Sequence, residues 1–378
     1  MEKRTFMLKN VRYLSALLAL FPTLAWSEWG YNMTRGVTDD SANIYDLHMV
    51  VFYICVVISI VVFGVMFWSM FHHRKSKGAV AATFHESAKL EMLWTVVPTI
   101  VLVVILFPAT KTLIESYDTA DSDIDIQVTG YQWKWRYKYI GEDVDFFSVL
   151  STPSDEIYNK AEKNPNYLLE VDNPLVVPIN KKIRFLFTAN DVIHAWWVPA
   201  LALKKDAIPG FINDAHTTIN EVGIYRGQCA ELCGKDHGFM PIVVKAVTEE
   251  EYVVWLAEQR ALKAKEASAS QKDWSMEELM AKGEEVYNKN CSACHQATGV
   301  GIPPVFPALK DSPIALGPME AHFDIVFNGK AGTGMAAYGD QLSAVDLAAV
   351  VTYERNAWGN NVGDTLLPAD VEKMKGGK

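Results

Sequence analysis

Cys229, Glu231, Cys233, His237 and Met240 fall within twelve consecutive residues, in the segment QCAELCGKDHGFM, and His194 stands upstream as a further imidazole. Thiolates, imidazoles and a thioether are soft or borderline donors, a set that favours copper over hard cations such as magnesium or calcium. Two other readings share these residues: a structural zinc site, and a pair of reduced core cysteines. Zinc normally takes four nitrogen or sulfur ligands and has no use for a thioether.

A second constellation is Cys291-Ser292-Ala293-Cys294-His295. Its two thiols suit thioether attachment to haem vinyl groups, and the adjacent imidazole suits axial iron ligation. A redox pair or half of a zinc site would have the same five residues, so the surroundings decide. Ahead of them, Ser275 and Glu278 form a capping box, and Met276, Leu279, Met280, Gly283, Val286 and Tyr287 follow helical spacing. Behind them come GVGIPPVFPAL, then Met335 in the glycine-rich loop NGKAGTGMAAYG. A helix is expected from about Ser343 to Arg355, with Leu347, Val350 and Val351 on one face.

These sites need a scaffold, and the composition says of what kind. The chain has 378 residues, 50% of them hydrophobic, and the apolar residues crowd into the first third. Residues 1–27 carry Lys3, Arg4, Lys9 and Arg12, an apolar run from Leu14 to Leu24, and small residues Ala25 and Ser27, the pattern of a cleaved signal peptide. Leu47 to Phe71 and Met92 to Ala109 contain no Asp, Glu, Lys or Arg and are long enough to cross a bilayer. Pro98 and Pro108 interrupt the second run, which a membrane helix tolerates better than a soluble one. The basic cluster His72, His73, Arg74, Lys75 and Lys77 places the intervening loop in the cytoplasm and everything after Lys111 outside it.

From Ile124 onward the period changes to two. Ile124, Ile126 and Val128 alternate with polar residues, as do Trp133, Trp135, Tyr137 and Tyr139. Further strands are expected at Leu175–Ile179, Ile183–Phe187, Ile193–Val198, Ile219–Tyr225 and Ile242–Val247, as in an all-β sandwich or barrel. Thr248 and Glu251 form another capping box, opening a charged helix that runs into the small residues 267–271; this is expected to tether without fixing an orientation. Cys55 lies within the first apolar run, so no cysteine pair remains for a disulfide. Residues 274–378 carry 8 Lys and Arg against 13 Asp and Glu, a net of −5, which disfavours nucleic acid and suits a basic protein partner. Glu142, Asp143 and Asp145 form an acidic turn that is either a docking feature or plain solvated surface.

The pattern Cys, three residues, Cys, three residues, His, two residues, Met resembles the copper A loop of the cytochrome c oxidase subunit II family, and the haem segment resembles a class I cytochrome c. The resemblance implies a multidomain membrane protein: a two-helix transmembrane hairpin (28–111), an all-β cupredoxin barrel (112–248), a helical linker (249–273) and an all-α cytochrome c domain (274–378). It implies that Cys229 and Cys233 bridge two copper ions, that His194 and His237 each cap one, that Met240 is a weak ligand and that Glu231 offers its carbonyl. The Glu231 carboxylate would then bind a magnesium or manganese ion shared with subunit I. One haem c would be held by Cys291 and Cys294, with His295 as one axial ligand and Met335 as the other, Met319 being its competitor. Trp133 is implied as the point where electrons arrive, and Glu91 as the mouth of a proton pathway. The expected role is electron input to a terminal oxidase of a bacterial inner membrane, with the large C-terminal region periplasmic. Its partners would be subunit I, subunit III, a donor cytochrome c and the lipid bilayer. Oxygen reduction and proton pumping belong to subunit I. The alternatives are a copper A subunit of a nitric oxide reductase, a quinol oxidase subunit, and a free periplasmic carrier.

Overall fold

The computed structural model describes residues 32–330 and 332–376; the expected signal peptide lies outside them. The chain forms two compact units. One comprises the N-terminal part through Asp118 with Val198–Lys204 and Thr217–Asn220, and the other holds Thr119–Trp197, Lys205–His216 and Glu221–Lys378.

The first unit is built on two long helices, α1 (Asp39–His72) and α2 (Ala88–Ser116). Both are long and apolar enough to cross a membrane. Their side chains are exposed nearly throughout, with residues such as Ile60, Val65, Leu102 and Phe107 open. Leaving one such side chain in water costs about 1.5–3 kcal/mol relative to burying it, so water is not the solvent this surface was selected for. The start of α1 is tied down. Ser41 N–H donates to Thr38 Oγ1 (2.9 Å) and Thr38 N–H to Ser41 Oγ (3.0 Å), a reciprocal cap. Val37 N–H reaches the Ala200 carbonyl, and Asn220 Nδ2 reaches Asp39 Oδ1.

The second unit begins with a barrel of two five-stranded sheets. The strands are β1 (Ile124–Tyr131), β2 (Lys134–Tyr139), β3 (Val144–Ser148), β4 (Leu175–Pro178), β5 (Lys182–Ala189), β6 (His194–Val198), β7 (Leu203–Ala207), β8 (Asn213–Thr218), β9 (Gly223–Cys229) and β10 (Pro241–Val247). The sheet orders are β3-β2-β1-β5-β8 and β4-β10-β9-β6-β7. Alternation explains the core: in β5, Ile183, Phe185, Phe187 and Ala189 point inward while Lys182, Arg184, Leu186 and Thr188 do not. Trp135, Tyr137 and Tyr139 of β2 are buried, whereas Trp133 precedes the strand in the turn and is half-buried. The expected strand over Ile219–Tyr225 instead runs from Gly223 to Cys229. It thus ends on the first cysteine of the loop.

Helix α3 (Glu249–Ala269) follows, opened by the Thr248–Glu251 capping box. It lies on the barrel rather than hanging free. Tyr252 and Leu256 are buried, and Trp255 packs on Tyr139 with ring centroids 5.1 Å apart. Arg260 pairs with Glu142, Lys263 Nζ lies 2.5 Å from Asp143 Oδ1, and Asp145 is held by Arg136. The acidic turn is therefore occupied by the chain's own cations.

The remaining helices are α4 (Met276–Asn290), α5 (Met319–Asn328), α6 (Ala344–Asn356) and α7 (Pro368–Gly376). Ser275 and Glu278 cap α4 as expected. Helix α6 departs from expectation: every residue from Ala344 to Arg355 except Asp346 is buried, because α4, α5 and α7 all pack on it. Gly283 allows the tightest of these crossings. A Cβ there would meet the Ala349 carbonyl oxygen at 2.2 Å and Tyr353 Cβ at 2.5 Å.

Candidate copper and haem sites

The cysteine loop joins β9 to β10, which are hydrogen-bonded neighbours with Gln228 opposite Pro241. Both ends of the loop are thus pinned by the sheet. His194 opens β6, which pairs with β9 so that Trp196 stands opposite Cys229. The sheet therefore brings the distant imidazole to the loop. Donor atoms of His194, Cys229 and Cys233 all lie within 4.8 Å of one another, and the three residues are buried. The sulfurs of Cys229 and Cys233 are 3.8 Å apart. His194 Nδ1 is 3.9 Å from Cys229 Sγ, and His237 Nδ1 is 3.4 Å from Cys233 Sγ. Met240 Sδ lies 3.4 Å from Cys233 Sγ, and the Glu231 carbonyl oxygen 3.3 Å from Cys229 Sγ. Donors at about 2.0–2.3 Å from a first-row ion stand roughly 3.5 Å apart in a tetrahedral arrangement, so these separations suit ions seated between them.

Proton affinities in the loop argue the same way. Burial acts upward on Cys229, but hydrogen bonding with His194 and the neighbouring backbone brings its thiol below the ordinary value. Burial pushes Cys233 up to about 12, and negative charge on Cys229 adds to it. Two thiolates 3.8 Å apart in a buried loop need positive charge between them. The donor set fits copper, and it does so through residues the family likeness named.

Several supporting residues were not anticipated from the sequence. Asp191 Oδ1 lies 2.9 Å from His194 Nε2, which orients the ring and leaves Nδ1 toward the thiol. Gly130 in β1 gives the same ring its room: a Cβ there would meet His194 Cδ2 at 2.7 Å. Gln132 Nε2 (2.8 Å) and Trp133 Nε1 (3.2 Å) both donate to the Cys233 carbonyl, and Trp135 Nε1 donates to that of Met240. The signal for Asp191 was its place three residues before His194 in NDVIH. Glu231 has an exposed side chain, and Glu91 sits exposed in the first turn of α2.

The second site is a cavity of about 340 Å³ whose walls include Cys291, Cys294, His295, Pro307 and Met335. Cys291 caps the C-terminal end of helix α4, and one further helical turn, Ser292–His295, carries the other cysteine and the histidine. His295 is 9% exposed, and its Nδ1 is 2.9 Å from the Pro307 carbonyl. That bond assigns the proton to Nδ1 and leaves Nε2 as the ligating nitrogen. Met335 faces the cavity from its loop, while Met319 packs on the apolar core of the helices and does not line the cavity. The apolar walls, the paired thiols and the oriented imidazole fit a covalently held haem.

The two sites are neighbours in one unit. Lys134, beside Trp133, places Nζ 4.8 Å from the ring centre of Phe147 on the barrel and 5.8 Å from that of Tyr338 in the cavity wall. Burial brings Lys134 down to about 8, with Lys289 adding to the effect. Lys289 in turn lies 3.5 Å from Asp172. Burial raises the Cys294 thiol, and the charges of Lys235 and Asp236 in the cysteine loop also reach it.

Comparison with known proteins agrees with this layout. Three family descriptions match in chain order: Cytochrome C oxidase subunit II, transmembrane domain, over residues 26–112; its periplasmic domain over 124–247; and Cytochrome C oxidase, cbb3-type, subunit III, over 278–353. A probable cytochrome c oxidase subunit 2 from Rickettsia bellii is 35% identical over 264 residues, 68% of this chain and 96% of its own. Cytochrome c oxidase subunit 2 from Cyanidium caldarium is 36% identical over 233 residues, 60% of this chain and 90% of its own. The crystal structure of the periplasmic domain of subunit II of cytochrome oxidase of Bradyrhizobium japonicum is 40% identical, covers 38% of this chain and 97% of that one, and has a TM-score of 0.34. The chain belongs to the cytochrome c oxidase subunit II family, in a form that carries a cytochrome c domain fused behind the copper barrel.

Proposed function

We propose that this chain is the electron-input subunit of a terminal respiratory oxidase, taking single electrons from a donor cytochrome c at its own haem and delivering them through the copper loop to subunit I. Copper and haem, when bound, supply the one-electron chemistry. Cys229 and Cys233 would hold both coppers, with His194 and His237 each completing one, Met240 as a weak ligand and Glu231 offering its carbonyl. Cys291 and Cys294 would anchor the haem, and His295 and Met335 would hold its iron. The observation that carries the reading is the convergence of buried His194, Cys229 and Cys233 at the loop between β9 and β10.

The protein's part is to keep geometry constant. A loop pinned at both ends and buttressed by Gln132, Trp133 and Trp135 moves little when charge changes, which lowers the reorganisation that slows transfer. Trp133, hydrogen-bonded to the ligand loop, is the route by which electrons reach it. The exposed Glu231 carboxylate is the donor for a magnesium or manganese ion completed by subunit I, and Glu91 stands at the start of a proton route into that partner. Transfer of protons across the membrane and reduction of oxygen to water occur there. The two apolar helices seat the chain in the bacterial inner membrane, beside subunits I and III, with the metal domains on the periplasmic side.

Electron paramagnetic resonance of the purified full chain, supplied with copper, tests this. One unpaired electron shared equally by two copper nuclei is expected. A single-copper spectrum from folded, copper-replete protein overturns the ligand assignment.

A further inference from the structure

The haem cavity holds one polar arrangement that electron transfer, as described, leaves unused. His322 of α5 and Glu354 of α6 both line the cavity and are 2% and 3% exposed. His322 Nε2 lies 2.8 Å from Glu354 Oε2. The other ring nitrogen, Nδ1, is buried and has no hydrogen-bond partner. Leaving such an atom unpaired is costly, and buried polar atoms in native proteins find partners. The chain offers Glu354 little else to balance it: the adjacent Arg355 is turned to Asp364 and to the Ala315 carbonyl. Cys291 is within hydrogen-bonding reach of the carboxylate and the charge of Glu354 is felt by Tyr287 and Tyr338, and none of the three is a cation.

A haem presents few groups that could complete Nδ1. Its edge carries methyls, the two thioether bridges and two propionates, and of these only the propionate carboxylates hydrogen-bond. We propose that His322 donates Nδ1–H to a haem propionate, with Glu354 fixing the ring from behind. This rests on the reading of the cavity as a haem site. The proton count is consistent. For Nδ1 to donate, the pair must hold two protons, as imidazolium beside carboxylate or as neutral imidazole beside carboxylic acid, and either form carries no net charge. The propionate thereby gains a donor without a lone buried cation. Withdrawing its negative charge from the iron favours the ferrous form, so His322 raises the reduction potential of the haem.

The full chain with haem attached is compared with His322→Leu and His322→Asn by spectroelectrochemical titration, with the pyridine haemochrome spectrum reporting covalent attachment and the near-infrared methionine-to-iron band reporting the axial ligand. The Leu variant is expected to keep both signatures while its reduction equilibrium constant falls about threefold or more, since only the difference in this bond's strength between ferric and ferrous haem reaches the equilibrium. The Asn variant, whose amide restores a donor, should recover most of that loss. A Leu variant within about twofold of the native chain overturns the proposal. So does a native spectrum of two-histidine ligation that His322→Leu abolishes, since His322 would then bind iron. Native protein without covalent haem breaks the haem reading itself. Should the Leu variant fail to mature, histidine-labelled ferrous native chain decides: a His322 Nδ1 proton with a nuclear Overhauser contact to a propionate methylene supports the proposal, and its absence overturns it.

Discussion

The copper loop and the haem cavity hold redox metals by different means. In the loop, five of the six donor residues come from twelve consecutive positions, and the sheet supplies the sixth through β6. In the cavity, only the cysteines and His295 are contiguous; Pro307, His322, Met335 and Glu354 arrive from separate segments. The loop is a local device resting on a rigid sheet, so its ligands depend on strand register. The cavity is a product of helix packing, so its shape depends on how closely α4 and α6 cross. Damage to packing should therefore spare copper and injure haem, and damage to strand-end hydrogen bonds should do the reverse.

The largest test of that contrast is Cys233→Ser. The shared-electron copper signal should vanish and oxidation of cytochrome c by the assembled enzyme should fall to background, while the haem absorption bands stay intact; loss of both signals together would merge the two sites into one cooperative unit. Asp191→Asn comes next. Removing the carboxylate behind His194 should weaken copper binding by about 10–100-fold, measured by competition with a chelator, and leave the haem potential unchanged. Gly283→Ala is the mirror experiment, expected to cost about 1–3 kcal/mol in unfolding of the helical domain through overpacking, with copper affinity unaltered. Smallest is Trp133→Phe. Losing one neutral hydrogen bond to the Cys233 carbonyl removes about 0.5–1.5 kcal/mol, so copper stays bound while single-turnover electron delivery to it slows. Protons sharpen the comparison too: because copper must displace the proton that burial holds on Cys233, uptake should weaken as pH falls, which a pH series of copper titrations would show.

What could be read in advance follows the same division. The candidate copper donors of the loop stood out because they are contiguous, whereas His194 was named through the family resemblance. Strands β7 and β8 were not foreseen, since LKKDA and NDAHTT lack the apolar alternation that marks a strand. The linker helix looked like a free tether because its charges gave no hint that Arg260 and Lys263 had partners a hundred residues upstream. His322 gave no signal at all: one histidine in an apolar helix is indistinguishable from core filler until Glu354 is seen opposite it.

The acidic turn clasped by α3 has a consequence for traffic. An incoming basic carrier finds Glu142 and Asp143 already neutralised, so docking there is an exchange of cations and not a simple attraction. Exposed pairs of this kind yield readily. A basic carrier that docks at this turn would have to outcompete two built-in rivals, which would set a threshold against weakly charged ones. Replacing Arg260 and Lys263 together by Ala should lower that threshold, visible as a smaller KM for feebly basic cytochromes; an unchanged KM would show that visitors land elsewhere. A smaller KM would place selectivity among carriers in the tether, a segment that supplies no metal ligand.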